Sequence, residues 1–344
     1  MTGQLDISRE DNLGIIALNR PEAINALNAE MIGGIIRTLE QWRDDDGIRV
    51  VLFEGRGARG FCAGGDVRAV RQLVLDGRLD EADAFFAAEY FMNGLIATFP
   101  KPTVAVSHGV VMGGGIGIAG HCRYRFTTPD SKWAMPEAAI GFVADIGINQ
   151  ILAQAPLHRA LAFLMSGVTV GPADALALGL ADCIHDPARR EALLDGIAAA
   201  ARHPNPDAAL AHLVQAEMLA GGDAAFVRAA DGCATIDWSN AAAVVAAIAD
   251  PGLAAALRSR SPTSLVAILE SHLVARKLPG IREVLAVDLG LAQLLCRWPD
   301  FAEGVRAVLV DKDQRPVWHP QDLATVPAGA IRAAIAAAIG SKPV

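Results

Sequence analysis

KPTVAVSHGVVMGGGIGIAGHCRYRFTTPDSKWAMPEAAIGFVADIG, residues Lys101 to Gly147, reads in order as a strand, a glycine loop, a short helix, a pair of strands and an acidic loop. Thr103–Val106 is short, apolar and β-branched, the pattern of a buried strand. It is expected to feed directly into Gly113-Gly114-Gly115, which can open a helix with its backbone amides bare, and such amides attract an oxyanion. Tyr124–Thr128 and Lys132–Met135 flank Pro129-Asp130, a turn pair, so the second of these strands is expected to deliver Glu137 into a loop that also holds Asp145. Anion-binding amides and two carboxylates thus fall within one compact stretch.

The flanking sequence extends the same alternation. Gly14–Leu18 reads as a strand that ends at Asn19-Arg20-Pro21, because proline cannot continue a central ladder. Asn28 is placed to cap a helix whose apolar positions Met31, Ile32, Ile35, Ile36 and Leu39 recur at helical spacing up to Trp42. Val50–Phe53 is the next buried strand, and Phe61-Cys62-Ala63-Gly64-Gly65-Asp66 is a second glycine loop at a strand exit. Strand and helix alternating with short breaks predict an α/β layered core with parallel pairing. Val67 to Phe99 reads as helix, with Phe85, Phe86, Tyr90, Phe91, Leu95 and Ile96 as an apolar face bound for the core. From about His185 the chain turns alanine-rich and helical, which predicts a core over 1–185 and a helical C-terminal region over 186–344.

Composition narrows the function classes. With 344 residues, 52% of them hydrophobic and 20% charged, the chain can bury a large core and is not disordered. A net charge of −8 with no basic block argues against nucleic acid or an anionic membrane as the main partner. Five cysteines stand singly, without a CxxC pair, so neither a disulfide framework nor a metal cluster is expected. The polar, acid-bearing N-terminus MTGQLDISREDN does not look like a leader, and no apolar run approaches a spanning length. These features predict a cytoplasmic protein.

Two glycine loops, each at a strand exit, can each aim one amide at the same carbonyl oxygen, and losing one such donor can cost about 2.7–4 kcal/mol of activation free energy. Glu137 could then serve as a base or as a nucleophile on that carbonyl, and Asp145 could orient a substrate hydroxyl or donate a proton. Two carboxyls sharing a desolvated pocket would be driven apart in pKa. From the residues alone, the glycines could equally be tight packing and the acids solvated loop residues. Gly115-Ile116-Gly117-Ile118-Ala119-Gly120 also matches GxGxxG, but strand-like sequence resumes at Tyr124, which leaves no room for the helix a dinucleotide site requires.

Several of these motifs, spread over nearly the whole chain, resemble the crotonase, or enoyl-CoA hydratase/isomerase, superfamily. Asn19-Arg20-Pro21-Glu22-Ala23-Ile24-Asn25-Ala26-Leu27 is similar to its N-terminal motif. Phe61–Asp66 is similar to its first oxyanion-hole loop, and His108-Gly109 through Gly115 to its second. The resemblance implies a spiral of ββα turns that makes 1–185 an acyl-CoA-binding catalytic core, with the helical segments of 186–344 covering the active site. It assigns the Gly65 and Gly114 amides to a thioester oxygen, and Ala63 with Ala23 and Ile24 to the coenzyme A moiety, alongside Gly64, Asp66 and Gly113. Coenzyme A enters as part of the substrate, and no separate cofactor or metal is implied. The superfamily often forms trimers, which leaves a homo-oligomer open.

Met135-Pro136-Glu137-Ala138-Ala139-Ile140-Gly141 followed by Asp145, Ser261-Pro262-Thr263-Ser264-Leu265, and Phe301 through Asp313 resemble the 3-hydroxyisobutyryl-CoA hydrolase branch. The first catalytic glutamate of the hydratases would fall at Gly117. The chain departs from the branch pattern at Ala144, Ile148-Asn149, Val266 and Gly290. The resemblance implies an acyl-CoA thioesterase that releases a short β-hydroxy acid, as in valine catabolism, with Glu137 and Asp145 at the chemistry. A hydratase or isomerase of the same fold, and a non-catalytic acyl-CoA binder, are the alternatives.

Overall fold

A computed structural model describes residues 3–340. The fold is mixed α/β. Two compact units are interleaved along the chain: one comprises residues 1–65, 92–133 and 170–224, the other 66–91, 134–169 and 225–344. The alanine-rich C-terminal region is therefore divided, 186–224 belonging to the first unit and 225–344 to the second.

The first unit carries the strands. Its larger sheet runs in the order β1 (Leu5–Glu10), β2 (Leu13–Leu18), β3 (Val50–Gly55), β5 (Thr103–Val106), β7 (Tyr124–Thr127) and β9 (Cys183–Ile184). A second sheet holds β4 (Gly60–Cys62), β6 (Val110–Met112) and β8 (Lys132–Ala134). β1 and β2 form an antiparallel hairpin, and β2, β3, β5, β7 and β9 pair in parallel. Parallel strands covered on both faces require apolar side chains on both, which is why Val50 to Phe53 is buried without a break. One face, carrying Val50, Leu52, Val104, Val106 and Phe126, packs on Leu193, Ile197, Leu210 and Val214 of the helices Arg190–Arg202 and Pro206–Glu217.

The expected helix after Asn28 spans Ala29–Arg43, and the Asn28 side chain accepts a hydrogen bond from the Met31 amide at 2.9 Å. Three expectations are corrected. Tyr124–Thr127 and Lys132–Ala134 do not pair with one another but lie in different sheets; Pro129-Asp130 redirects the chain rather than closing a hairpin, and the Lys132 amide goes to the Gly109 carbonyl at 2.7 Å. An additional strand, Val110–Met112, separates Thr103–Val106 from the glycine loop. The stretch after Val67 is two helices, Val67–Leu75 and Leu79–Ala97, broken at Gly77, whose φ of +73° ends the first.

The second unit is helical. Its helices include Leu157–Ser166, Pro262–Ala275, Ile281–Cys296, Pro299–Val305 and Ala328–Gly340. At Gly290 an added Cβ would stand 3.2 Å from the Ala338 Cβ and 3.4 Å from the Ala334 carbonyl. The helices Ile281–Cys296 and Ala328–Gly340 meet there through small residues, and a long side chain has no space.

Candidate active site

Within the first unit the two glycine loops come together. An added Cβ on Gly64 would lie 3.3 Å from the Met112 carbonyl and 3.5 Å from the Gly114 amide nitrogen. Gly64 has φ +107° and Gly113 has φ +47° with ψ −123°, backbone that side chains rarely adopt. Glycine at both positions lets one loop approach the other while the Gly114 amide stays uncovered. Gly114 is the first residue of the helix Gly114–Ala119, so its amide has no partner within the helix. Among the described residues, neither the Gly65 nor the Gly114 amide donates to a protein acceptor.

The N-terminal motif is fixed against the same loops by Asn25. This residue is fully buried, accepts from the Arg20 amide at 2.9 Å, and donates to the Arg56 carbonyl at 2.9 Å and the Phe61 carbonyl at 3.0 Å. Ile24 and Asn25 both have positive φ, +50° and +54°. Such strain in a β-branched residue persists only when surrounding bonds enforce it. The Ala63 amide donates to the Ile24 carbonyl at 2.9 Å and the Leu27 amide to the Gly64 carbonyl at 2.8 Å. Ala23, Ile24, Ala63, Gly64, Gly65, Gly113 and Gly114 therefore all lie in the first unit, along joined segments.

Gly117 is buried within the helix Gly114–Ala119. An added Cβ there would stand 2.8 Å from Asn93 Oδ1 and 3.1 Å from Asn93 Nδ2. Asn93 is fully buried, and both polar atoms of its carboxamide lack a partner among the described residues. An unsatisfied buried amide costs free energy and calls for a functional or hydrated explanation.

The acids gather in the second unit. Glu137 starts a short 3-10 turn, Glu137–Ile140, that closes at Gly141 with φ +69°. The C-terminal motifs hold this turn. The Ser261 amide donates to the Ala138 carbonyl at 3.1 Å, the Ser261 hydroxyl donates to Asp300 Oδ2 at 2.5 Å, and Asp300 Oδ1 accepts from the His319 amide at 2.7 Å. Gly141 lies against the Asp300 carbonyl and Gly304 against the Ile140 backbone so closely that a Cβ at either would clash, at 2.2 and 2.4 Å. Phe142 stacks on Phe86 at 4.9 Å and touches the Phe301 ring at 5.3 Å. The resembling stretches Ser261–Leu265 and Phe301–Asp313 thus act locally as the frame of Glu137.

Glu137 and Asp145 are 7% and 5% exposed, so the reading of solvated loop acids fails. Tyr90 donates its hydroxyl to Asp145 Oδ2 at 2.6 Å, while Glu137 Oε2 has no partner among the described residues. Burial pushes the Asp145 carboxyl up to about 7, against the opposing pull of the Tyr90 hydrogen bond. Burial first, then the Asp145 and Glu89 charges, hold the Glu137 carboxyl well above the ordinary carboxylate range.

Two further acids belong to this cluster and were not singled out from the sequence. Glu89 is 2% exposed, its Oε1 has no partner among the described residues, and burial with the Asp145 charge pushes it up to about 8. Asp288 is fully buried and is also held well above its usual range, by burial and then by Asp145. The available signal for Glu89 was its place on the apolar face of its helix, three residues after Phe86 and beside Tyr90. Asp66, expected among the coenzyme A contacts, caps the helix Val67–Leu75 by accepting from the Ala69 amide at 3.4 Å. Among the described residues no group of His, Cys, Asp or Glu side chains is arranged to hold a metal ion, and no helix is long and apolar enough to cross a membrane.

Comparison with known proteins bears on this arrangement. The sequence model described as enoyl-CoA hydratase/isomerase matches residues 13–335. Human 3-hydroxyisobutyryl-CoA hydrolase, mitochondrial, is 32% identical over 91% of this chain and 83% of its own length. The Xenopus tropicalis protein of the same name is 34% identical over 94% and 86%. A solved structure titled carnitinyl-CoA dehydratase, from Mycobacterium thermoresistibile, superposes with a TM-score of 0.87 at 33% identity, covering 100% of this chain and 97% of the other. The expected cytoplasmic location is corrected by these relatives, which are mitochondrial enzymes. Paired glycine loops on parallel strands, a buried acid turn framed by C-terminal helices, and a family match spanning most of the sequence lead to one conclusion: the chain belongs to the enoyl-CoA hydratase/isomerase, or crotonase, family.

Proposed function

We propose that this chain hydrolyses a short β-hydroxyacyl-CoA thioester to coenzyme A and the free acid, with 3-hydroxyisobutyryl-CoA as first candidate and valine degradation as its setting. The observation that carries the reading is the buried Glu137 carboxyl, whose Oε2 has no partner among the described residues, in a chain that has glycine at position 117. Addition of water across a double bond uses two opposed carboxylates, whereas hydrolysis needs one together with an oxyanion hole. The names of the hydrolase relatives support the same choice.

In this reading the Gly65 and Gly114 amides receive the thioester oxygen, and their charge complementarity grows as that oxygen becomes negative. Burial holds a proton on Glu137, so that proton must first pass to another base; the carboxylate then either attacks the carbonyl carbon, forming a mixed anhydride as the C–S bond breaks, or removes a proton from an attacking water. In the anhydride route water adds to the Glu137 carbon and the acid leaves with an oxygen from Glu137; in the base route water itself supplies the acid's second oxygen; in both, the thiolate takes up a proton. Asp145 anchors the β-hydroxyl. Ala23, Ile24, Ala63, Gly64 and Gly113 line the path of coenzyme A.

The dehydratase title of the structural relative favours a second reading, hydration or dehydration on the same scaffold. Free-thiol release from 3-hydroxyisobutyryl-CoA, with the enoyl absorbance of crotonyl-CoA followed in parallel, separates the two. The hydrolase reading expects thiol release that disappears in Glu137→Gln. Loss of enoyl absorbance without thiol release would replace it with hydratase chemistry. A single turnover in oxygen-18 water then distinguishes attack by Glu137, which places label in that carboxyl, from base catalysis, which does not.

A further inference from the structure

Asp145 is followed by two residues in left-handed backbone, Ile146 at φ +57° and Gly147 at φ +74°. Isoleucine rarely adopts that conformation, since its branched Cβ crowds the following carbonyl. Ile146 is 1% exposed, so the strain lies inside the second unit. Something must over-determine this turn. The Gly147 amide donates to Asp288 Oδ2 at 2.8 Å, across 141 residues of sequence. The Asn149 Nδ2 donates to the carbonyl of Ala144, the residue before Asp145, at 3.4 Å, and the Asn149 Oδ1 accepts from His272 Nδ1 at 2.9 Å. His272, Asn149 and Asp288 are each at most 1% exposed.

We propose that Asp288, Asn149 and His272 form a positioning network that holds the Asp145-Ile146-Gly147 turn, and through it the Asp145 carboxyl, against Tyr90. Three separate elements contribute: Asp288 from the helix Ile281–Cys296, His272 from the helix Pro262–Ala275, and Asn149 from the short helix Ile148–Leu152 that the turn opens. Asn149 stands where the branch pattern has a glycine-rich run, so a residue that departs from the pattern supplies the middle link. A carboxamide oxygen only accepts, so His272 carries its proton on Nδ1. Burial pushes the His272 ring down to about 4, which keeps it neutral at physiological pH. The network is therefore a directed set of hydrogen bonds with no cation in it. Asp288 touches no substrate in this proposal and acts through Asp145.

The test reads Tyr90 directly. The chain has two tyrosines, Tyr90 and Tyr124, so ring-labelled tyrosine gives two Cζ resonances, assigned with Tyr124→Phe. Asp288→Asn keeps an acceptor for the Gly147 amide and should leave the Tyr90 resonance at its wild-type position. Asp288→Leu removes that acceptor at similar volume and should move the resonance toward its position in Asp145→Ala. Asn149→Ala should move it the same way by less. An unmoved Tyr90 in both Asp288→Leu and Asn149→Ala overturns the proposal; if Asp288→Leu does not fold, an unmoved Tyr90 in Asn149→Ala alone does so.

A kinetic counterpart rests on the reading of Asp145 as the hydroxyl anchor. Asp288→Leu should lower the kcat/KM ratio of 3-hydroxyisobutyryl-CoA over isobutyryl-CoA about tenfold, with the ratio recovered in Asp288→Asn. A ratio unmoved even by Asp145→Asn would count against the hydroxyl anchor, and the Tyr90 resonance would still decide the positioning role.

Discussion

Replacing Asp145 by asparagine should make the protein more stable at pH 8 than the natural chain, although the residue is placed at the chemistry. The Asp145 carboxyl is pushed from an ordinary 3.8 up to about 7, chiefly by burial. At 1.36 kcal/mol per tenfold change in proton affinity, that rise amounts to about 4 kcal/mol held against the ionised side chain. The folded chain keeps this proton up to about pH 7, whereas the unfolded chain loses it near pH 4. Between those values the folded state binds more protons, so stability falls as pH rises through the window and levels off above it. Asparagine has no proton to lose and presents an oxygen to the Tyr90 hydroxyl, so that part of the slope disappears. Urea midpoints at pH 4 and pH 8 measure the effect. The expected result is near equality at pH 4 and an advantage for Asp145→Asn of up to about 4 kcal/mol at pH 8. The neighbouring acids add to it, since the Asp145 charge also raises Glu137 and Glu89. A variant equally destabilised at both pH values would refute the reasoning, because burial would then impose no charge penalty at this site.

Gly64→Ala places a methyl 3.5 Å from the Gly114 amide nitrogen at φ +107°, so kcat should fall about 10²–10³-fold with a smaller change in KM; steady-state kinetics on a thiol-release assay reads this. Gly115→Ala drives a Cβ to 2.4 Å from the Cys62 carbonyl, a backbone atom that cannot turn aside, whereas Gly117→Ala meets the Asn93 carboxamide at 2.8 Å. Thermal melts should show the first variant losing more than the second, by about 1–3 kcal/mol, and equal losses would mean that the Asn93 side chain is as immovable as backbone. Gly304→Ala pushes a methyl to 2.4 Å from the Ile140 backbone and should lower both the melting temperature and turnover, with Gly290→Ala, whose nearest contact is 3.2 Å, as the milder comparison.

Much of the scaffold was legible because local chemistry dictated it. Thr103–Val106 is a strand with the bounds its β-branched run suggests, and Asn28 and Ser261 cap the helices they precede. β1, Leu5–Glu10, was missed because four of its six residues are exposed and its sequence is polar, as edge strands often are. The partners of Tyr124–Thr127 and Lys132–Ala134 were not legible, since strand pairing is settled by contacts far along the chain rather than by the turn between them. Glu137 and Asp145 were visible as acids after a strand. Glu89 and Asp288 were hidden within apolar helical stripes, where one charged residue at a core position looks like noise until its surroundings are known. The network through Asn149 depends on two helices more than a hundred residues away.

Four buried carboxyls in one unit raise a question of proton inventory that bears on which chemistry they serve. Coulomb repulsion and desolvation prevent Glu89, Glu137, Asp145 and Asp288 from all ionising near neutral pH, so the cluster holds protons there. Asp145 at about 7 and Glu89 at about 8 are the members whose proton is exchangeable at that pH. An acyl-CoA hydrolase needs such a reserve twice: one carboxylate must be charged when the carbonyl is attacked, and a proton must be at hand when sulfur leaves. A hydratase needs instead two acids facing one double bond from fixed positions. A set of buried acids that share protons suits the thioester hydrolysis proposed above, in which the protonation state changes between steps.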